Sequence, residues 1–222
     1  MTESRRRVTR IEPQKRNLRR FNLFLDGEFA FGLDQTVLLE CHLHEGDSLA
    51  PAEIGKVLRC EARHRAKEKA LRLIAYRPRS VEEVRKRLRE TGCDPSIVQE
   101  VIDNLVRVNL LNDAEFAASY VRSRLIQKPI SRRLMESELR AKGIADAVMA
   151  SVLEREYETG SDEAIARELI RKKVRQYAGQ DPLKVRKKLS DFLARRGFGW
   201  DVIGTVVREE LRVKNEERMD YE

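Results

Sequence analysis

Cysteine is scarce in this chain of 222 residues: Cys41, Cys60 and Cys93 form no Cys-x-x-Cys pair and leave one thiol unmatched in any disulfide scheme. That composition excludes a disulfide-stapled secreted scaffold and points to a reducing, cytoplasmic home. Eleven Gly and six Pro are too few for a loop-rich all-β fold or a disordered chain. Aromatics at 6% argue against a large sandwich or barrel. No run approaches the roughly 20 uncharged apolar residues of a membrane span, and the basic stretch Met1 to Arg7 is not followed by an apolar segment, so neither membrane insertion nor export is expected. What the chain does have is charge. Charged residues make up 37% against 41% hydrophobic, the balance of amphipathic helices with one face in water. The formal net charge of +8 calls for an anionic partner, nucleic acid or a nucleic acid complex first.

Residues 1–55 read as an N-terminal extension. Arg20 to Leu33 holds two alternating aromatic runs joined by Asp26-Gly27, a pair that favours a type I′ hairpin turn. Val8 to Glu12 is a candidate third strand. A two-stranded hairpin is marginal alone and must lean on something larger. A short helix over Asp34 to Cys41 and a turn at Glu45-Gly46-Asp47 follow, with Ser48 placed to cap the next helix.

Beyond residue 55 the chain reads as helix and repeats itself. Leu88 to Gly92, Leu139 to Gly143 and Leu193 to Gly197 share the pattern Leu-x-x-x-Gly, with glycines 51 and 54 residues apart. Val84, Met135 and Leu189 lie four residues before those leucines, so each segment ends a helix with an apolar stripe and a glycine at C′. Ser80, Ser131 and Asp181-Pro182 open these helices. After each glycine, positions +5, +6, +9 and +10 are apolar in register: Ile97, Val98, Val101, Ile102; Val148, Met149, Val152, Leu153; Val202, Ile203, Val206, Val207. A longer helix precedes each cap, ending near Ile74-Ala75-Tyr76, running from Asp113 to about Gln127, and from Ser161 to about Tyr177. The expected fold is mainly α: an elongated array of three tandem three-helix repeats, at 56–110, 111–159 and 160–215, with a small N-terminal β-hairpin extension and a tail at 216–222.

Charge alternates with the repeat. Residues 56–91, 122–142 and 171–197 carry +8, +5 and +8, while 92–121, 143–170 and 198–222 carry −4, −5 and −3. Stacking by a regular transformation lines the basic blocks into an interrupted stripe. Its candidates are Arg77, Arg79, Arg85, Arg87 and Arg89; Arg124, Lys128, Arg132, Arg133 and Lys142; and Lys172, Lys173, Arg186, Lys187, Lys188, Arg195 and Arg196. Such a stripe suits a linear polyanion bound without sequence readout. Taken singly, each cation also reads as helix solvation or helix C-terminal charge. The acidic blocks repel phosphate and suit a basic protein surface or plain solvation.

Catalytic motifs are missing, and no enzyme, cofactor or metal is expected. Gly27 to Gly32 has the glycine spacing of a phosphate loop, but Leu33 follows where Lys is required. Cys41-His42-Leu43-His44 lacks a fourth ligand and reads as a helix end. Trp200, after Gly197-Phe198-Gly199, reads as a core anchor of the third repeat rather than a base-stacking platform.

Two stretches resemble a known family. Ala75-Tyr76-Arg77-Pro78-Arg79-Ser80-Val81-Glu82-Glu83-Val84 with Leu88-Arg89-Glu90-Thr91-Gly92 resembles the first repeat of the bacterial RecX regulators. Leu111-Asn112-Asp113-Ala114-Glu115-Phe116-Ala117, Tyr120-Val121-Arg122-Ser123-Arg124 and Glu138-Leu139-Arg140-Ala141-Lys142-Gly143 are similar to the second. The resemblance covers about 65 to 143 well and the third repeat more loosely. It implies three tandem three-helix repeats, no catalysis, and binding of the RecA filament on single-stranded DNA, within its helical groove. There it would modulate RecA ATP hydrolysis, strand exchange and filament growth, acting as a monomer with weak direct DNA binding. One departure is Gln127-Lys128-Pro129-Ile130-Ser131-Arg132-Arg133, where the family often has Gly before basic residues; Pro129 stiffens this connection. The competing readings are a helical protein that binds DNA or RNA independently of RecA, and a protein scaffold that binds no nucleic acid.

Overall fold

The computed structural model describes residues 4–157, 161–177 and 179–219, with side chains described as far as Arg212. The chain forms two compact units. One comprises the residues up to Arg79 with Val84–Leu111; the other comprises Ser80–Glu83 with the chain from Asn112 onward.

The first unit opens with strands β1 (Arg6–Gln14), β2 (Asn17–Leu25), β3 (Glu28–Asp34) and β4 (Ser48–Leu49), in the antiparallel order β3-β2-β1-β4. Asp26 and Gly27 turn β2 into β3 with φ of 53° and 87°, as a type I′ turn demands of both central residues. The Asp26 carboxylate accepts from the Arg7 N–H and Arg6 Nε, both at 2.8 Å, which holds its pKa below the usual carboxylate value. The expected third strand is longer than Val8 to Glu12 and lies between β2 and β4.

Helices α1 (Gln35–Glu40) and α2 (Pro51–Tyr76) cover the sheet. Val8, Leu23, Leu25 and Leu33 meet Val37, Leu43, Leu49 and Val57 in one core, so the hairpin leans on these helices. Ser48 does not cap α2. It pairs with Arg7 in the sheet, Ala50 stands at the N-cap, and the Glu53 carboxylate takes the Ala50 N–H at 2.7 Å. Pro51, preset for the first helical position, fixes that start. At 26 residues α2 is about 39 Å long, long enough to serve the sheet with Val57 and the first repeat with Ala66 and Ala70. Helices α3 (Val81–Arg89) and α4 (Pro95–Arg107) complete that repeat, with Val84, Leu88, Ile97, Val98, Val101, Ile102 and Leu105 buried.

The second unit holds α5 (Asp113–Gln127), α6 (Arg132–Ala141) and α7 (Asp146–Tyr157), then α8 (Asp162–Val174), a 3₁₀ turn (Arg175–Tyr177), α9 (Pro182–Ala194) and α10 (Trp200–Met219). Each triplet has its own core. Phe116, Val121, Met135, Leu139, Met149 and Leu153 pack in one, and Ile170, Leu189, Leu193, Phe198, Ile203 and Val206 in the other. Gly143 and Gly197 adopt φ of 78° and 84°. The residues after them, Ile144 and Phe198, bury their side chains while their N–H groups reach back to Leu139 and Leu193 O at 3.2 and 3.3 Å. This is the Schellman closure, in which only glycine enters the left-handed turn cheaply.

Trp200 is not a core anchor. It is 70% exposed at the start of α10, while Phe198 is 3% exposed. The register explains this. Phe198 follows its glycine directly, as Ile144 does, whereas Trp200 stands at +3, where the other repeats carry the exposed Pro95 and Asp146.

Candidate cationic interaction surface

Two junctions organise the second unit, and they use the same chemistry. The Ser80 hydroxyl accepts the Glu83 N–H at 3.1 Å and donates to the Lys142 carbonyl at 2.7 Å. The Ser131 hydroxyl accepts the Leu134 N–H at 3.2 Å and donates to the Gly197 carbonyl at 2.7 Å. The next N–H in each case, of Val81 and of Arg132, donates to the first-turn carboxylate of the first helix of the next triplet, Asp113 of α5 and Asp162 of α8, at 2.9 Å. Each helix start thus satisfies one orphan N–H with its own serine cap and another with a carboxylate of the neighbouring triplet. The approach is close: a Cβ on Gly143 would stand 2.4 Å from Glu82 Cβ, and one on Gly197 2.6 Å from Leu134 Cβ.

Around these junctions lies a belt of cations fixed by rings and oxygens. Lys142 pairs with Glu83 at 3.4 Å and stands 4.7 Å from the Tyr120 ring centroid. Glu138 receives Arg124 through Nε at 3.0 Å and Nη2 at 2.6 Å, and the Tyr120 hydroxyl at 2.7 Å. The Arg124 hydrogen bonds hold the Glu138 pKa below its ordinary value, while burial, with the bond to Glu138, pushes the Tyr120 phenol up to about 12. Arg196 donates to the Pro129 carbonyl at 2.6 Å, and the Ser131 N–H donates to the Arg196 carbonyl at 3.0 Å. Pro129 therefore stiffens a connection that a neighbouring cation clamps. Burial, then the charge of Arg124, lowers the Arg196 pKa. Arg196 also covers Phe192 at 4.6 Å, with Lys173 at 5.7 Å from the same ring and Lys188 at 5.3 Å from Tyr177.

The structure thus brings Arg124 and Lys142 together at Tyr120, and Lys173, Lys188 and Arg196 together at Tyr177 and Phe192, with Arg196 also bonded to the Pro129 carbonyl after α5 and with Glu83 and Glu138 as compensating carboxylates. Five cations against two carboxylates leave the belt positive. Lys128, Arg133, Arg186, Lys187 and Arg195 are exposed and have no ion-pair partner among the described residues. Arg132 and Lys172 make helix-face pairs with Glu136 at 3.4 Å and Glu168 at 2.6 Å. Of the first block, Arg77 and Arg79 follow α2, where Arg77 Nη1 donates to the Pro78 carbonyl at 2.8 Å and Arg79 Nε to the Leu73 carbonyl at 3.4 Å. On α3, Arg87 pairs with Glu90 at 2.8 Å, Arg89 is exposed and Arg85 half-buried.

Two sets of residues were passed over in the sequence reading. The ring partners Tyr120, Tyr177 and Phe192 carry a local signal at one point only, since Phe192 lies four residues from both Lys188 and Arg196. The second set is the row Arg65, Lys69 and Arg72 on α2, spaced to share one helix face within the block of +8.

Among the described residues no group of three or more His, Cys, Asp or Glu side chains is placed to hold a metal ion, and no helix is long and apolar enough to cross a membrane. A small sheet followed by three-helix repeats, with capped helix starts at their junctions and cations held against rings and oxygens, defines an α-helical repeat protein.

Comparison with known proteins gives that class a family. Residues 6–50 match the regulatory protein RecX N-terminal domain, and 66–105, 112–153 and 161–207 match the first, second and third RecX three-helix domains. The regulatory protein RecX of Bacillus subtilis is 33% identical over 217 residues, 97% of this chain and 81% of that protein. That of Bacillus cytotoxicus is 32% identical over 219 residues, 97% and 80% respectively. That of Amycolatopsis mediterranei is 39% identical over 148 residues, 67% of this chain and 84% of that protein. A crystal structure of regulatory protein RecX is similar with a TM-score of 0.69 at 25% identity, covering 90% of this chain and 98% of that one. A structure of RecX from Lactobacillus salivarius is similar with a TM-score of 0.58 at 25% identity, covering 67% and 96%. The chain belongs to the RecX family of regulatory proteins. Its relatives are named as regulators, not as enzymes.

Proposed function

We propose that the chain regulates RecA: it binds the RecA filament on single-stranded DNA within its helical groove and restrains ATP hydrolysis, strand exchange and filament growth. The observation that carries this reading is the set of held cations Arg124, Lys142, Lys173, Lys188 and Arg196, drawn from two triplets, together with Lys128, Arg133, Arg186 and Lys187, which are exposed and have no ion-pair partner among the described residues. Cations already held against rings and carbonyls lose little rotamer freedom on binding, and the unpaired ones supply the salt-sensitive attraction a polyanionic filament needs.

Single-strand-dependent ATP hydrolysis by RecA from the same source, titrated with this protein, tests the reading. Inhibition that weakens about tenfold in the variant Lys128→Glu/Arg133→Glu/Lys187→Glu, with the fold intact, is the expected result. Unchanged hydrolysis at saturating wild-type protein rejects it. A second reading, direct binding to nucleic acid without RecA, is favoured by the exposure of Trp200, since an open indole can serve as a stacking platform for a base. Affinities for naked single strand, duplex and preformed filament at two salt concentrations separate the two. No preference for filament selects the second.

A further inference from the structure

Among the described residues, three helix starts donate a backbone N–H to a carboxylate on a following helix. Two are the junctions described above. The third is in the first unit, where the Asp34 N–H, at the N-cap of α1, donates to Glu61 Oε2 on α2 at 2.9 Å, and Arg20 Nη2 lies 2.9 Å from Glu61 Oε1. The sheet and α1 thus stand where a preceding repeat would stand, but they fill only the carboxylate half of the seat. Ser80 and Ser131 close the other half with hydroxyl donors. Asp34 has none to give: its carboxylate accepts the Thr36 N–H at 2.9 Å and faces His64 Nε2 at 3.3 Å.

The glycine half of the first seat is open as a result. A Cβ on Gly92 would meet nothing within 4 Å. A groove of about 850 Å³ opens there, lined by Thr91 and Gly92 and, along α2, by Arg65, Lys69, Arg72 and Tyr76. Arg65 and Lys69 have no ion-pair partner among the described residues, and Tyr76 is 84% exposed. Thr91 and Gly92 carry the carbonyls equivalent to those of Lys142 and Gly197, which accept serine hydroxyls in the filled seats.

We propose that this half-filled seat is a docking site for a protein partner, and that the segment it takes is a helix start with Ser or Thr at the N-cap and carboxylates in the first turn. The hydroxyl answers the carbonyl edge and the carboxylates answer the α2 cations. The chain contains such a segment, Ser80-Val81-Glu82-Glu83, seated at Gly143 with Glu83 against Lys142. A second copy of this chain is a poor occupant. The corresponding start in its last repeat is Asp181-Pro182, with neither a hydroxyl nor an N–H at the first helical position. A phosphate backbone matches the cations but brings acceptors to an edge of acceptors. The inference does not depend on RecA being the target, and its test needs no RecA.

The probe is a fluorescent, acetylated peptide of Ser80 to Glu90, stapled on one face to remove the nucleation cost of a short helix. It is titrated into the full chain and into two variants, Thr91→Trp, which fills the mouth of the groove, and Arg65→Glu/Lys69→Glu, which reverses its wall. The expected result is saturable binding, about tenfold weaker in each variant and weaker again for a peptide with Ala at position 80 and Lys at 82 and 83. Should Thr91→Trp fail to fold, the double reversal at the exposed Arg65 and the half-buried Lys69 decides alone. No saturable binding, or equal binding by the wild type and the reversal variant, overturns the proposal. So does displacement of the peptide by an oligothymidylate that itself binds more tightly through Arg65 and Lys69, which would make the groove a nucleic acid site. Dimerisation on light scattering that Thr91→Trp abolishes would overturn it in favour of self-association.

Discussion

Gly92, Gly143 and Gly197 end equivalent helices with φ of 73°, 78° and 84°, yet they live under different constraints. Gly92 has open space where a Cβ would go, whereas Gly143 and Gly197 are pressed by Glu82 and by Leu134 with Ser131. The backbone turn alone asks for glycine at all three; contact with a neighbouring helix start asks for it again at two. Repetition of a residue therefore does not mean repetition of its reason. The comparison separates the cost of a left-handed turn from the cost of a blocked interface.

Alanine at these positions gives the largest separation. At Gly92 it should cost about 1–2 kcal/mol, the strain of a Cβ in the left-handed region. At Gly143 or Gly197 the same strain is joined by about 1–3 kcal/mol of overpacking, because Cβ atoms near the backbone of Glu82 and Leu134 cannot swing away. Urea denaturation of the three single variants measures this; equal losses would mean the junctions relax without resistance.

The serine caps give the next effect. Ser131 is fully buried and both accepts the Leu134 N–H and donates to the Gly197 carbonyl, while the exposed Ser161 only accepts the Ala164 N–H at 3.3 Å. Ser131→Ala should cost about 2–3 kcal/mol, a lost cap plus a stranded carbonyl, against about 0.5–1 kcal/mol for Ser161→Ala. Matching losses would reduce the junction to ordinary capping.

A smaller effect is pH-dependent and belongs to the belt. The folded pKa of Glu138 lies below its ordinary 4.5, chiefly through the Arg124 hydrogen bonds. Its contribution is therefore complete above about pH 4.5 and is lost as pH falls through the lower folded value. Glu138→Gln should remove about 1 kcal/mol at neutral pH, discounted for partial exposure, and should flatten the acid limb of the stability profile. A parallel acid limb in the variant would show that other carboxylates set it.

Much of this architecture was legible before the coordinates. Three apolar registers counted from three glycines locate the helices after each turn, and Val84-Leu88, Met135-Leu139 and Val185-Leu189-Leu193 are buried as their spacing requires. Asp26-Gly27 announces its own turn. What misled was residue character read without register or tertiary competition. Ser48 is a good cap by type, but the sheet claims its backbone and Pro51 fixes the helix start beyond it. The junctions themselves were hidden. Nothing local to Ser80 says that its hydroxyl will meet a carbonyl 62 residues away, because a cap motif specifies an acceptor for its own helix and is silent on where its proton goes. The cationic blocks were visible as charge, but the rings, the Pro129 carbonyl and the Glu138 carboxylate that hold five of those cations in place follow from packing.

The smallest expected effect concerns the ring that the sequence reading misplaced. Phe198 and Trp200 flank Gly199, and only the first is in the core, so Trp200→Ser should change stability by less than about 0.5 kcal/mol. The chain has one Trp, which makes fluorescence a direct check. Native emission should already lie near that of indole in water, shift little on unfolding, and be quenched by acrylamide before denaturant is added. If this ring stacks on bases, as the second functional reading requires, saturating single-stranded oligonucleotide should quench it, and Trp200→Ser should weaken that binding while filament binding stays near wild type. An indole that is blue-shifted in the native protein would place it under cover and would erase the distinction between positions +1 and +3 after the glycine.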